Sequence, residues 1–216
     1  MKLAIEFALV ILFLVLPPIL WGIRGMLQGA TAYRVDPLYP VPDILARTFY
    51  AVWLYYLYTG TKSRKTQGTH RIPMFALTLA AVALSSLVFQ GLSRLLPLST
   101  PPEIIGMSIP GYDPWFIANN IIGTAIFAFF EELLYRTYLP SRLLNFRLNK
   151  YTGAALSQGL FAIAHISMGP WGVLNALVCG LSLQLCYQKT KSLTVITAIH
   201  ILYNLAGRAW LFRFAF

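Results

Sequence analysis

The stretch that decides the fold is Ile117–Arg136, IANNIIGTAIFAFFEELLYR. An apolar run from Ile117 to Phe130 ends in two adjacent glutamates, Glu131 and Glu132, and Arg136 follows one helical turn later. On insertion scales each ionisable group costs about 2.5–3.5 kcal/mol at the centre of a membrane helix, so the three together cost roughly 8 kcal/mol unless something compensates. They must pair with one another, face a bundle interior or line a wet cavity, and an intramembrane ionisable group marks a functional site by default.

The rest of the chain places this stretch in a membrane. Of 216 residues, 57% are hydrophobic and 11% charged, against about 25% charged in soluble domains. The apolar runs are long and continuous rather than alternating, which favours helices over barrel strands. The net charge of +10 does not point to nucleic acid, because the basic residues sit in short loops between apolar runs, as membrane topology requires. The two cysteines, Cys179 and Cys186, fall seven apart in one apolar run and read as core packing. The N-terminal run, interrupted by Glu6 and lacking a nearby small-residue cleavage site, reads as an uncleaved signal anchor.

The pattern predicts an all-α, polytopic transmembrane helix bundle of about seven spans, with an eighth as the alternative, forming one integral membrane domain over 1–216. The spans run from Leu3 to Trp21 (kinked or ended by Pro17 and Pro18), Ile44 to Tyr58, Pro73 to Phe89, Asp113 to Leu139 (broken by Pro140), Thr152 to Ile166, Trp171 to Tyr187, and Leu193 to Phe212. Residues 1–112 carry no motif, and 113–216 form the functional core. The linkers Ile23–Asp43 and Gly91–Tyr112 read as caps at the membrane surface. Gly172, Ala176 and Gly180 form a small-residue ridge that lets a neighbouring helix approach. Lys and Arg cluster at 62–71, 142–150 and 189–191, loops that share one side with Lys2 if there are seven spans, so the N-terminus is expected in the cytoplasm. The small size and lack of extra domains fit a prokaryotic cytoplasmic membrane.

Three histidines occur. His70 lies in a basic loop. His165 and His200 are each expected inside an apolar helix, on different spans. Phe161 and His165 are four apart, as are His200 and Asn204, and Glu132 and Arg136, so each pair shares a helix face. Counting ~1.5 Å per residue from the cytoplasmic helix ends places Glu131 about 12 Å deep, His200 about 10 Å, Asn204 about 16 Å and His165 about 20 Å. The groups can therefore meet in one slab of the bilayer, with His165 the poorest fit. Desolvation makes a carboxylate a stronger base, an imidazole can hold the same water, and amide or ring N–H donors can receive developing negative charge.

Glu-Glu-x-x-x-Arg (Glu131, Glu132, Arg136), then Phe-x-x-x-His (Phe161, His165), then His-x-x-x-Asn (His200, Asn204) resemble, in order and spacing, the CPBP intramembrane proteases. These include the CAAX prenyl endopeptidases of the Rce1 type, bacteriocin-processing and immunity proteins, and myxosortase-like sorting proteases. The resemblance covers Asp113 to Arg208. It implies a glutamate-type intramembrane endopeptidase in which Glu131 is the general base, His165 holds and activates water, and His200 with Asn204 stabilises the oxyanion. Glu132, Arg136 and Phe161 would support them, and no metal or other cofactor would be needed.

Two rivals stand beside this reading. Two histidines and a glutamate are also a common zinc ligand set, although no His-Glu-x-x-His helix is present. Alternatively the buried groups serve a non-catalytic membrane protein, as an immunity factor, a scaffold or a proton relay. Asn119, Asn120, Gln158, Asn175 and Gln184 on the same helices fit a structural hydrogen-bond network. The expected partner is a membrane-bound protein or peptide, either lipidated or carrying a C-terminal sorting helix, within the lipid bilayer.

Overall fold

The structure is a computed structural model that describes residues 2–27, 40–59, 71–96 and 114–214. They form seven helices and no strand. We label them α1 (2–27), α2 (Pro40–Thr59), α3 (Arg71–Leu95), α4 (114–145), α5 (Lys150–Ile163), α6 (Gly169–Thr190) and α7 (Leu193–Phe214). The basic loop 61–70 with His70, most of the two long linkers, and the side chains of Asn119, Asn120, Arg208 and Arg213 lie outside what is described.

Among the described residues, three segments are long and apolar enough to cross a bilayer, namely Lys2–Arg24, Arg71–Leu95 and Ile166–Thr190. The outward surface is itself apolar: Phe49, Tyr56, Leu77, Leu84 and Leu87 are all well exposed. That is costly in water and neutral in lipid, as expected of an integral membrane protein.

Of the kink or end expected at Pro17 and Pro18 the helix shows no end, and the break expected at Pro140 does not occur. In α1 the stretch Ile11–Val15 is π-helical and the helix resumes at Leu16–Leu27, through Pro17 and Pro18. In α4 the segment Pro114–Glu132 passes into a π-helical stretch, Leu133–Tyr138, and resumes at Leu139–Asn145, through Pro140. Proline removes an N–H and clashes with the carbonyl four residues back. Widening the preceding turn relieves that clash without breaking the helix.

The second departure is at α5. This helix stops at Ile163, and Ala164 to Met168 turn the chain into α6, so His165 lies in the turn rather than within a span. Gly169, at φ 73°, begins the next helix in a conformation suited to glycine. The α5–α6 pair is tight, as the short connection requires. A Cβ added at Gly180 would fall 3.0 Å from Gln158 Oε1 and 3.1 Å from Phe161 Cδ1, so the small-residue ridge admits α5.

The central element is α4. Leu133, Leu134, Tyr138 and Leu139 are buried against Val10, Leu14 and Val15 of α1, Leu54 of α2 and Phe161 of α5. A second core joins Val82 of α3, Cys179, Leu183 and Cys186 of α6, and Ile196 and Ile199 of α7. Both thiols are free and buried, each 3.9 Å from an α3 carbonyl, Val82 or Met74. Polar side chains stitch the same interface: Ser85 donates to Asn175 Oδ1 at 2.7 Å, and Asn175 Nδ2 donates to the Tyr203 hydroxyl at 3.1 Å.

Contacts at the helix ends fix which loops share a side. Glu6 of α1 meets Arg142 and Tyr138 near the end of α4, and Arg142 also reaches the Leu57 carbonyl at 3.4 Å. Gly22 packs on Ile166 and Ser167 at the opposite end of the bundle. Trp171 donates to the Leu96 carbonyl at 2.8 Å on that same opposite end. The first end therefore collects Arg71, Arg142, Arg147, Lys150, Lys189 and Lys191.

Glu6 Oε1 lies 2.7 Å from Arg142 Nη2 and accepts the Tyr138 hydroxyl at 2.7 Å. This cluster replaces solvation for an acid that interrupts an apolar helix. Glu6→Leu leaves Arg142 largely buried without its partner and is expected to cost about 2–4 kcal/mol. Glu6→Gln, which retains an acceptor, costs less. Thermal unfolding of the detergent-solubilised protein should rank wild type above Glu6→Gln above Glu6→Leu.

Candidate active site

The sequence places two carboxylates side by side on α4, and the fold gives them different surroundings. Glu132 is fully buried, whereas the Glu131 side chain retains 20% exposure. A buried carboxylate needs a cation and donors. Arg136, one turn on, supplies the cation, with its Nε 3.3 Å from Glu132 Oε2. His200 of α7 supplies the donor, with its Nδ1 2.7 Å from Glu132 Oε1.

That contact orients the imidazole. Beside the Arg136 guanidinium the Glu132 carboxyl oxygen is the acceptor, so His200 Nδ1 donates. The opposite nitrogen, Nε2, then faces Glu131 Oε2 at 3.6 Å, too long for a hydrogen bond but close enough to attract an imidazolium. His200 thus stands between the two carboxylates, bonded to the inner and facing the outer.

Phe161 joins this pair to the second histidine. Its ring packs 4.6 Å from the His165 ring and 6.4 Å from the His200 ring, centroid to centroid. The Arg136 guanidinium lies 4.1 Å over the same ring, and Tyr135 meets it edge-on at 5.2 Å. An aromatic face attracts a cation most strongly where water is excluded.

His165 is brought there by the end of α5 rather than by a shared helix face. Its Nδ1 lies 2.8 Å from the Phe161 carbonyl, one of the last on the helix. A carbonyl only accepts, so Nδ1 carries the hydrogen and the neutral ring has a bare Nε2. The ring caps α5 and folds back over Phe161. Asn204 is half-buried one turn beyond His200 on α7.

Residues 113–206 match the model of a family described as type II CAAX prenyl endopeptidase, Rce1-like. Over this segment the chain is similar to the Rce1-like family. The match spans α4 to α7 and contains every one of the site residues above. Comparison with curated proteins gives no match, and neither does comparison with solved structures.

The Rce1-like segment does not stand alone. Arg47 of α2 places its guanidinium 3.5 Å from the centre of the Phe127 ring and 5.8 Å from that of Phe130, one turn and one residue before Glu131. A cation inside the apolar run Ile44 to Tyr58 was the available signal for it, in a half of the chain that carries no motif. Among the described residues, no three His, Cys, Asp or Glu side chains are disposed to hold a metal ion.

The two glutamates should respond differently to substitution. Glu132→Ala strands Arg136 and His200 and is expected to cost about 3–5 kcal/mol, the range for breaking a buried pair. Glu131→Gln, at the more open position, should leave the unfolding midpoint close to wild type. Thermal unfolding of the two purified variants in one detergent tests this ordering.

Proposed function

We propose that the protein is a glutamate-type intramembrane endopeptidase that hydrolyses a peptide bond of a membrane-associated protein with a water molecule. The observation that carries this reading is His200, held by buried Glu132 while its free edge faces the more exposed Glu131.

In this reading Glu131 is the general base. Water keeps one hydrogen, hydrogen-bonded to the bare Nε2 of His165, and passes its other proton to Glu131 as its oxygen attacks the peptide carbonyl carbon. The tetrahedral oxyanion takes hydrogen bonds from the Asn204 amide and from His200. Since His200 already donates through Nδ1, it has a second N–H at Nε2 only as the imidazolium. One preorganised donor to an oxyanion is worth about 3 kcal/mol in the transition state. Collapse breaks the C–N bond, and Glu131 returns its proton to the leaving amine. Arg136 and Phe161 keep Glu132 and the rings in place.

The substrate is a membrane-bound protein or peptide, either lipidated near its cleaved end or carrying a C-terminal sorting helix, reaching the site from the bilayer. The basic end of the bundle is assigned to the cytoplasm by the excess of Lys and Arg in cytoplasmic loops, which puts the N-terminus there too. The chemistry uses no metal.

Mass spectrometry of membrane-protein termini should show new ends in cells expressing the wild type and none in cells expressing Glu131→Gln. Activity of the purified protein should survive exhaustive chelation. Identical termini in both cells would remove the protease assignment, and loss of activity on chelation restored by zinc would replace the metal-free mechanism.

A further inference from the structure

Pro140 creates a problem that is solved from another helix. In a π-helical turn each N–H reaches the carbonyl five residues back, and Leu139 N–H is bonded in this way to the Leu134 carbonyl. The next donor in that ladder would be residue 140, aimed at the Tyr135 carbonyl, but proline has no N–H. The Tyr135 carbonyl is thereby left without its backbone donor in the centre of the bundle.

Two side chains of α5 replace it. Ser157 Oγ donates to the Tyr135 carbonyl at 2.6 Å and Gln158 Nε2 donates to it at 3.0 Å. Both side chains are fully buried. Gln158 is held in turn by Gln184 of α6, whose Oε1 lies 3.2 Å from the same Nε2. Gly180 leaves room for this amide beside Phe161.

The widened turn sits between the two parts of α4 that are tied to different neighbours. Glu132 is bonded to α7 through His200, whereas Tyr138 and Arg142 are bonded to α1 through Glu6. A residue gained or lost from a helix rotates everything on one side of it by about 100° relative to the other. If the wide turn closed into regular helix while Tyr138 and Arg142 stayed on Glu6, both glutamates would swing away from His200.

We propose that Ser157 and Gln158 are positioning residues that hold the π-helical turn of α4 open at the Tyr135 carbonyl, and so set the direction in which Glu131 and Glu132 face His200. Neither touches the reacting atoms. The proposal rests on the reading of these glutamates as the working groups, but its geometric content can be observed without catalysis.

With three histidines in the chain, selective 15N-histidine labelling of the detergent-solubilised protein gives a readable set of ring signals, assigned by His70→Gln and His165→Gln. The His200 Nδ1–H donated to Glu132 should give a downfield proton protected from exchange. Ser157→Ala combined with Gln158→Leu should shift or abolish that signal and lower kcat on an identified substrate about ten- to a hundred-fold with little change in KM, the scale expected of a small misplacement. Each single variant, which keeps one donor, should show a smaller shift. An unmoved His200 signal in the double variant overturns the proposal, as does an unmoved signal in both single variants. Absence of any peptidase activity in the wild type would instead defeat the catalytic reading and leave the spectroscopic result standing.

Discussion

A carboxylate with no access to solvent, Glu132, is the constraint around which this bundle is organised. Burying it requires partners, and it has a guanidinium from its own helix and an imidazole from α7. The bond to His200 Nδ1 turns the opposite edge of that ring toward the neighbouring, more open Glu131. Phe161 keeps the assembly compact, because one ring packs against both imidazoles and the guanidinium. A non-polar side chain of another shape would lose the attraction to Arg136 as well as the packing.

The sequence made part of this legible. Seven apolar segments and the charged cluster at the end of the fourth follow from hydropathy and spacing, and the Glu132–Arg136 contact follows from the four-residue interval. The Phe161–His165 contact was expected for the wrong reason. The interval suggested a common helix face, but α5 stops at Ile163 and the imidazole reaches back as a cap. The relevant local information is Gly169-Pro170, which marks the start of the next helix more firmly than the apolar run marks the end of the last. Pro140 misled in the same way, since a lone sequence cannot say whether a proline ends a helix or is absorbed by a wider turn. That choice depends on donors supplied from elsewhere, such as Ser157 and Gln158.

Long-range polar pairs were illegible for a simpler reason. Nothing in the spacing of Glu6 and Arg142 connects them, and the network of Ser85, Ser86, Asn175 and Tyr203 joins three helices far apart in the chain. The motif-free first half therefore has a definite task. It supplies the acid that ties down the end of α4, the Arg47 cation beside Phe127, and the close contact of Gly22 with Ile166 and Ser167, beside His165.

The tether between Glu6 and α4 also has a consequence in time. Glu6 lies 132 residues ahead of its phenolic partner Tyr138, and ribosomes add roughly 5–20 residues per second. The first helix thus enters the membrane with an acid that stays single for on the order of ten seconds. Until the fourth helix arrives, that acid must remain protonated or rest at the headgroup boundary, so the N-terminal segment reaches its final depth only late in biogenesis.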